Sequence, residues 1–352
     1  MQAVGSVTSD RLEQLVGNLS HKLQVRPEMV LPFAGFDEIM PKLFSVCRSY
    51  QEKLLVAGHL SPEVAIAADK CSLKPQEIFG STPFGSCTNA VLAAVDRPDR
   101  IIYVANPNRI SGANLGLKDL DRLAEAVPHG MLIVDEHYFD FYGISAAPLL
   151  AERTNVVVLR SFTASFGITS ADSGYVVAPA EIIEHLRAEP DMREISTIVY
   201  RTMMTTQDNE SLLAKRLTEL HDESLRLATA LTRLGFQARI TSADFLLLRV
   251  ADPTSVGNFL ARYRIPIENL DGYPHLQKYM RYRIQSHLSN DGLLEACGKM
   301  PPDYFKLATA EHRPITLRKP VQEMATPPAL EEVLAGPEYR RISVLEAVTG
   351  RK

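Results

Sequence analysis

The chain has 352 residues, 45% hydrophobic and 23% charged, with a formal net charge of −4. That length supports a sizeable core in one large or two moderate soluble domains, and the mild acidity gives no support to nucleic-acid binding, which usually shows a basic face. No apolar run approaches the ~20 residues of a membrane span, and Met1 to Gly5 lack the charged and apolar regions of a secretory signal.

Taken in order, Ser9-Asp10 ahead of Arg11 to Val16 reads as the capped start of an amphipathic helix. Val25 to Ile39 turns at Gly35-Phe36, where free N–H groups at a helix start would attract an anion; a plain strand-to-helix turn fits as well. Lys53 to Ala57 and Glu63 to Ala67 read as two short strands, joined through Gly58 to Pro62, with His59 as a surface histidine. Arg100 to Ala105 is a β-rich run closed by Asn106-Pro107, hence a buried strand. Leu117 to Val127 has helical apolar spacing. Met131 to Val134 leads into Asp135-Glu136-His137-Tyr138, and Val156 to Leu159 and Tyr175 to Val177 bracket the loop from Arg160 to Gly174.

The alternation of strand, turn and helix to about residue 180 predicts an α/β unit, a mainly parallel sheet covered by helices. Thr206 to Leu234 predicts one long amphipathic helix. Phe236 to Ile240 and Phe245 to Val250 then read as strands of a smaller α+β domain. After Met300 the chain is rich in proline and charge. Its helical patterns at Ala329 to Leu334 and Tyr339 to Val348 suggest an appended tail on the surface or on a partner. The four cysteines, Cys47, Cys71, Cys87 and Cys297, are scattered without metal-ligand spacing and read as free thiols of a reducing cytoplasm, with no metal site.

The loop Ser161-Phe162-Thr163-Ala164-Ser165-Phe166-Gly167, continuing to Asp172-Ser173-Gly174-Tyr175, resembles the Schiff-base lysine loop of fold-type-I pyridoxal-phosphate aminotransferases, most closely the histidinol-phosphate aminotransferase branch. That family reads roughly S-F-S/T-K-x-F-G-L-x-G-x-R-x-G-Y. Ala164 stands at the lysine position and Asp172 at the phosphate-binding arginine. Asn106 to Gly112 resembles N-P-N-N-P-T-G, with Arg109 where an asparagine would meet the ring hydroxyl. Val134 to Phe141 resembles v-D-E-A-Y-x-d-F. There the resemblance makes Asp135 the partner of the ring nitrogen and Tyr138 a donor to the ring hydroxyl. His137 replaces a small alanine. Gly35 and bulky Phe36 match the phosphate-binding helix start, and Arg281, in Met280 to Ile284, matches the arginine that forks onto a substrate carboxylate. Asp135 is open to a second reading as a structural strand-end carboxylate, and Arg281 as one charge on a solvated strand face.

The resemblance covers roughly residues 10 to 300. It implies a large domain over 1–205 with the family's N-terminal arm missing, a linking helix over 206–235, a small domain over 236–300 and a tail over 301–352. Only a primary amine condenses with the cofactor aldehyde, so Ala164 implies no covalent aldimine and no ordinary transamination. Pyridoxal phosphate without a covalent bond would rest on Gly35, Phe36, Asp135, Tyr138, Ser161 and Thr163. The expectation is an atypical cytoplasmic homodimer of amino-acid or secondary-metabolite biosynthesis, independent of that cofactor. It would act on an amino-acid or carboxylate substrate through His137, Asp135, Tyr138, Arg109 and Asp172, with Arg281 as anchor and with neither nucleic acid nor membrane as partner. Two alternatives stand beside it: a non-catalytic pseudo-aminotransferase, and a working aminotransferase carrying a laboratory Lys→Ala change at position 164.

Overall fold

A computed structural model describes residues 7–47, 52–168, 172–189 and 193–307. The tail patterns at 329–334 and 339–348 lie outside the described residues. The described chain forms two compact units that divide between Leu217 and Thr218.

The first unit carries strands β1 (Val30–Phe33), β2 (Lys53–Ala57), β3 (Lys74–Ile78), β4 (Ile101–Ala105), β5 (Met131–Glu136), β6 (Val156–Ser161) and β7 (Gly174–Val177). Their order in the sheet is β1-β7-β6-β5-β4-β2-β3. Pairings from β3 through β2, β4 and β5 to β6 are parallel, and β7 is antiparallel to both of its neighbours. β4 and β5 are buried along their whole length, as strands of a sheet covered on both faces must be. Alternate residues serve opposite cores. Ile102, Val104, Leu132, Val134 and Val158 face one with α1 (Ser9–Leu23); Ile101, Tyr103, Ile133, Val157 and Leu159 face the other with α2 (Phe36–Cys47) and α3 (Pro62–Lys70). Each fully buried aliphatic side chain contributes about 1.5–3 kcal/mol relative to an exposed one.

Three expectations change. Glu63 to Ala67 is not a strand but part of α3: Pro62 occupies the first turn, where its missing N–H costs nothing, and Val64, Ala67 and Ala68 are buried at helical spacing. His59 is not on the surface; it is 2% exposed, with its ring 4.8 Å from that of Phe79. The long helix breaks at Asn209 into α4 (Thr197–Asp208) and α5 (Glu210–Leu234).

The second unit has a four-stranded antiparallel sheet in the order β10-β11-β9-β8, built from β8 (Gln237–Ile240), β9 (Phe245–Arg249), β10 (Glu268–Asn269) and β11 (Tyr279–Arg283). Leu246, Leu248, Met280 and Tyr282 pack on one face with Leu231, Leu260 and Leu293 from helices. The architecture is therefore a mainly parallel α/β sheet plus a smaller antiparallel α+β unit.

Candidate active site

Parallel register sets the candidate residues along one sheet edge. Ala105 stands opposite Asp135, Asp135 opposite Leu159, and the Asn106 N–H donates to the Asp135 carbonyl at 2.8 Å. Ligands of open α/β sheets bind beyond such carboxyl ends. β1 and β7 deliver α2 to the same edge, since Phe33 pairs with Gly174 and Gly174 with Ser161. Gly174 has no alternative there, because a Cβ would lie 2.1 Å from the Arg160 carbonyl oxygen.

Asp135 is fully buried and collects four donors. Arg109 Nε donates to Oδ2 at 2.8 Å and Nη2 to Oδ1 at 3.4 Å; the Tyr103 hydroxyl donates at 2.7 Å and the His137 N–H at 3.0 Å. Tyr103 precedes Ala105 by two residues and so shares its face, which carries the phenol up to the carboxylate. Burial first, then the neighbouring Asp135 charge, pushes the Tyr103 pKa well above its ordinary value, so the hydroxyl remains a donor. Burial disfavours the Arg109 charge, yet the facing Asp135 more than compensates and raises its pKa. The same guanidinium lies 4.1 Å from the centre of the Phe36 ring. His137 stands edge-on to Phe36 at 5.7 Å and to Tyr138 at 5.2 Å. Arg109, Phe36 and His137 thus fill the space between Asp135 and the start of α2.

At that helix start, Gly35 turns the chain with φ +114°. The Phe36 N–H donates to Asp172 Oδ2 at 3.1 Å. Arg193 lies against Gly35 and is held by Asp37 at 2.8 Å and Glu38 at 3.2 Å. The loop at 161–168 closes on itself: Ser161 Oγ accepts from the Thr163 and Ala164 N–H groups at 3.1 and 3.0 Å. Thr163 is buried, and its carbonyl accepts from the Ile168 N–H at 3.0 Å. In the second unit, Arg281 donates to Glu268 through Nε at 2.7 Å and lies 5.3 Å from the Phe245 ring centre.

Two features escaped the sequence reading. Glu136, fully buried on the opposite face from Asp135, accepts from Arg160 Nε at 2.8 Å, from Ser145 Oγ at 2.9 Å and from the Ala146 N–H at 2.6 Å. A charged residue directly across the register, Glu136 against Arg160, was the available signal. Asn106 and Asn108 frame their own loop: Asn106 exchanges bonds with the Leu115 backbone, and Asn108 Oδ1 accepts from the Ile110 and Ser111 N–H groups. A nearby cleft lined by Gly58, His59, Phe79, Cys87, Asn108 and Ser111 has a volume of only about 30 Å³, water-sized. Among the described residues, no group of His, Cys, Asp and Glu is arranged to hold a metal, and no helix is long and apolar enough to cross a membrane.

Comparison with known proteins gives this geometry its context. The sequence model of the family described as aminotransferase class I and II matches residues 7–297. A histidinol-phosphate aminotransferase of Chlorobaculum tepidum is 25% identical over 286 residues, 79% of this chain and 80% of that one. An aromatic amino acid aminotransferase of Rhodococcus erythropolis is 27% identical over 241 residues, 68% of this chain and 67% of that one. Among solved structures, histidinol-phosphate aminotransferase from Sinorhizobium meliloti in complex with pyridoxal-5'-phosphate shares the fold with a TM-score of 0.73 at 15% identity, covering 83% of this chain and 82% of that one.

The expectation of no cofactor does not stand. The Sinorhizobium enzyme carries pyridoxal-5'-phosphate on this fold, and the family match runs through every stretch that would surround it. Family and fold point to pyridoxal phosphate rather than to none. The residues as they sit do not fit that group. Asp172 holds the N–H that would receive the phosphate, Arg109 holds the carboxylate that would meet the ring nitrogen, and residue 164 offers a methyl group in place of an amine. The match over residues 7–297, on a sheet in which the strands ending at Ala105, Glu136 and Ser161 are neighbours, makes this chain a member of the class I and II aminotransferase family.

Proposed function

We propose that this protein is an atypical aminotransferase-family enzyme of amino-acid or secondary-metabolite biosynthesis. It works in the cytoplasm as a homodimer on an amino-acid or carboxylate substrate, with pyridoxal phosphate, as in the Sinorhizobium relative, for its cofactor class. Asp135 carries the reading: a fully buried carboxylate near the end of a central strand, with His137 and Tyr138 two and three residues on. The chain's own residues orient and move protons. Tyr103 and the His137 N–H fix the Asp135 carboxylate. Ala164 has no amine to carry a proton, so that work falls to the His137 imidazole, set against Phe36 and Tyr138 beside Asp135. Arg281, in the second unit, carries a guanidinium able to fork onto a carboxylate, a place held here by Glu268.

The test pairs amino-acid and carboxylate substrates with pyridoxal phosphate and follows products by mass spectrometry. Turnover is expected, and His137→Ala should slow it by about 10²–10⁴-fold, the usual worth of a positioned acid–base group. Undiminished turnover would remove His137 from that role. The Arg109–Asp135 pair favours a second reading, a non-catalytic member that binds a ligand or partner subunit; absence of turnover with every pair would select it. A lysine codon at position 164 in the natural gene would instead return the protein to ordinary transaminases.

A further inference from the structure

Two charge contacts in the site are of one kind. The start of a helix is a general anion site, because its N–H groups have no partner within the helix. At the start of α2, a helix of 12 residues, the anion is Asp172, brought from 136 residues away onto the Phe36 N–H at 3.1 Å. Asp135, the carboxylate suited to a ring N–H, is instead met by the Arg109 guanidinium at 2.8 Å. Both contacts meet on Phe36: its N–H binds Asp172 and its ring carries Arg109 at 4.1 Å.

We propose that Arg109 and Asp172 are built-in counter-ions that occupy the cofactor's recognition groups, so that a pyridine phosphate enters this site only by displacing both. The inference rests on the reading that pyridoxal phosphate is the cofactor class, and it assigns what controls access. A phosphate at the Phe36 N–H would stand beside the Asp172 carboxylate, and like charges at that range repel. A ring nitrogen at Asp135 must take the place of the Arg109 fork.

The experiment titrates 4-deoxypyridoxine 5'-phosphate, which has the ring and phosphate but no aldehyde to label surface lysines, into the whole chain by calorimetry. Wild type is compared with Asp172→Asn, Arg109→Gln and the double variant. Asp172 is solvent-exposed and asparagine keeps its shape, so that variant reports even if loss of Arg109 perturbs folding. Each single variant should bind about fivefold or more tighter than wild type, the worth of one charged contact removed from the competition, and the double variant tighter still. Wild-type binding as tight as that of the variants overturns the proposal and leaves the cofactor reading in place. A gain from only one substitution overturns it for the other residue. No binding by any of the four overturns both the proposal and the cofactor reading.

Discussion

Asp135 and Glu136 are neighbours on β5, face opposite sides of the sheet, and each meets an arginine at 2.8 Å. The two pairs are built differently. Arg160 stands opposite Glu136 in the β5–β6 register, lies 3.5 Å from the centre of the Phe139 ring, and its partner is further held by Ser145 and the Ala146 N–H. Arg109 comes from the loop after β4, and its side chain is 14% exposed against 7% for Arg160. The Glu136 pair is held by the Phe139 ring over Arg160 and by two further donors to the carboxylate. The Arg109 pair can open by turning one loop side chain. A buried charge pair locked by register belongs to the fold; one hung from a loop at the ligand edge belongs to the site.

Breaking each pair in turn gives the largest expected effect. Removing one partner of a buried ion pair leaves an uncompensated charge and costs about 3–5 kcal/mol. Arg160→Met should lose that much in urea denaturation. Arg109→Met should lose less, about 1–3 kcal/mol, because the Arg109 side chain hangs from a loop and is the more exposed of the two, so water can reach the carboxylate it leaves. Equal losses would make the Arg109 pair structural and collapse the distinction.

A third carboxylate sharpens the comparison from the opposite environment. Glu223, in the second unit, is gripped by Arg226 and also accepts from Asn290 and His287. Arg226 foremost, against the opposing effect of burial, and with help from Asn290 and His287, lowers its pKa to about 2. Burial foremost moves Glu136 the other way, raising its pKa in spite of Arg160. A folded-state pKa below the ordinary ~4.3 gives stability that is present above that value and lost as pH falls toward the folded one. The Glu223 contribution should therefore fade between about pH 5 and pH 2, and Glu223→Gln should flatten that part of the acid unfolding curve. An unchanged acid limb would show that the grip of Arg226 contributes nothing measurable.

The smallest effect concerns thiols. Burial pushes Cys47 and Cys297 up to about 12, and burial, chiefly, pushes Cys87 up to about 11. Cys71, only partly buried, should label first with a thiol reagent at mild alkaline pH in the native protein, the other three only on unfolding. Early labelling of Cys87 would mean that the cleft beside His59 opens more than its geometry implies.

Much of the frame was legible because it depends on local pattern. The runs at Ile101–Ala105 and Met131–Glu136 are apolar enough to be buried strands and little else, and Asn106 and Asp135 follow from their ends. Glu63 to Ala67 misled, because a short apolar run suits a strand as well as a helix, and Pro62 was the cue to the helix. His59 misled because polarity says nothing of the Phe79 ring that covers it.

By itself the sequence determined the order and spacing of the family's stretches and the absence of an amine at residue 164, since both are properties of the chain as written. Only the tertiary structure decided which charge meets which. Arg109 reaches Asp135 across 26 residues, Asp172 reaches Phe36 across 136, and Tyr103 reaches Asp135 through the pairing of two strands. A hydrogen bond forms within about 3 Å and at a narrow angle. Loop paths and strand register set such distances, and spacing along the chain does not encode them.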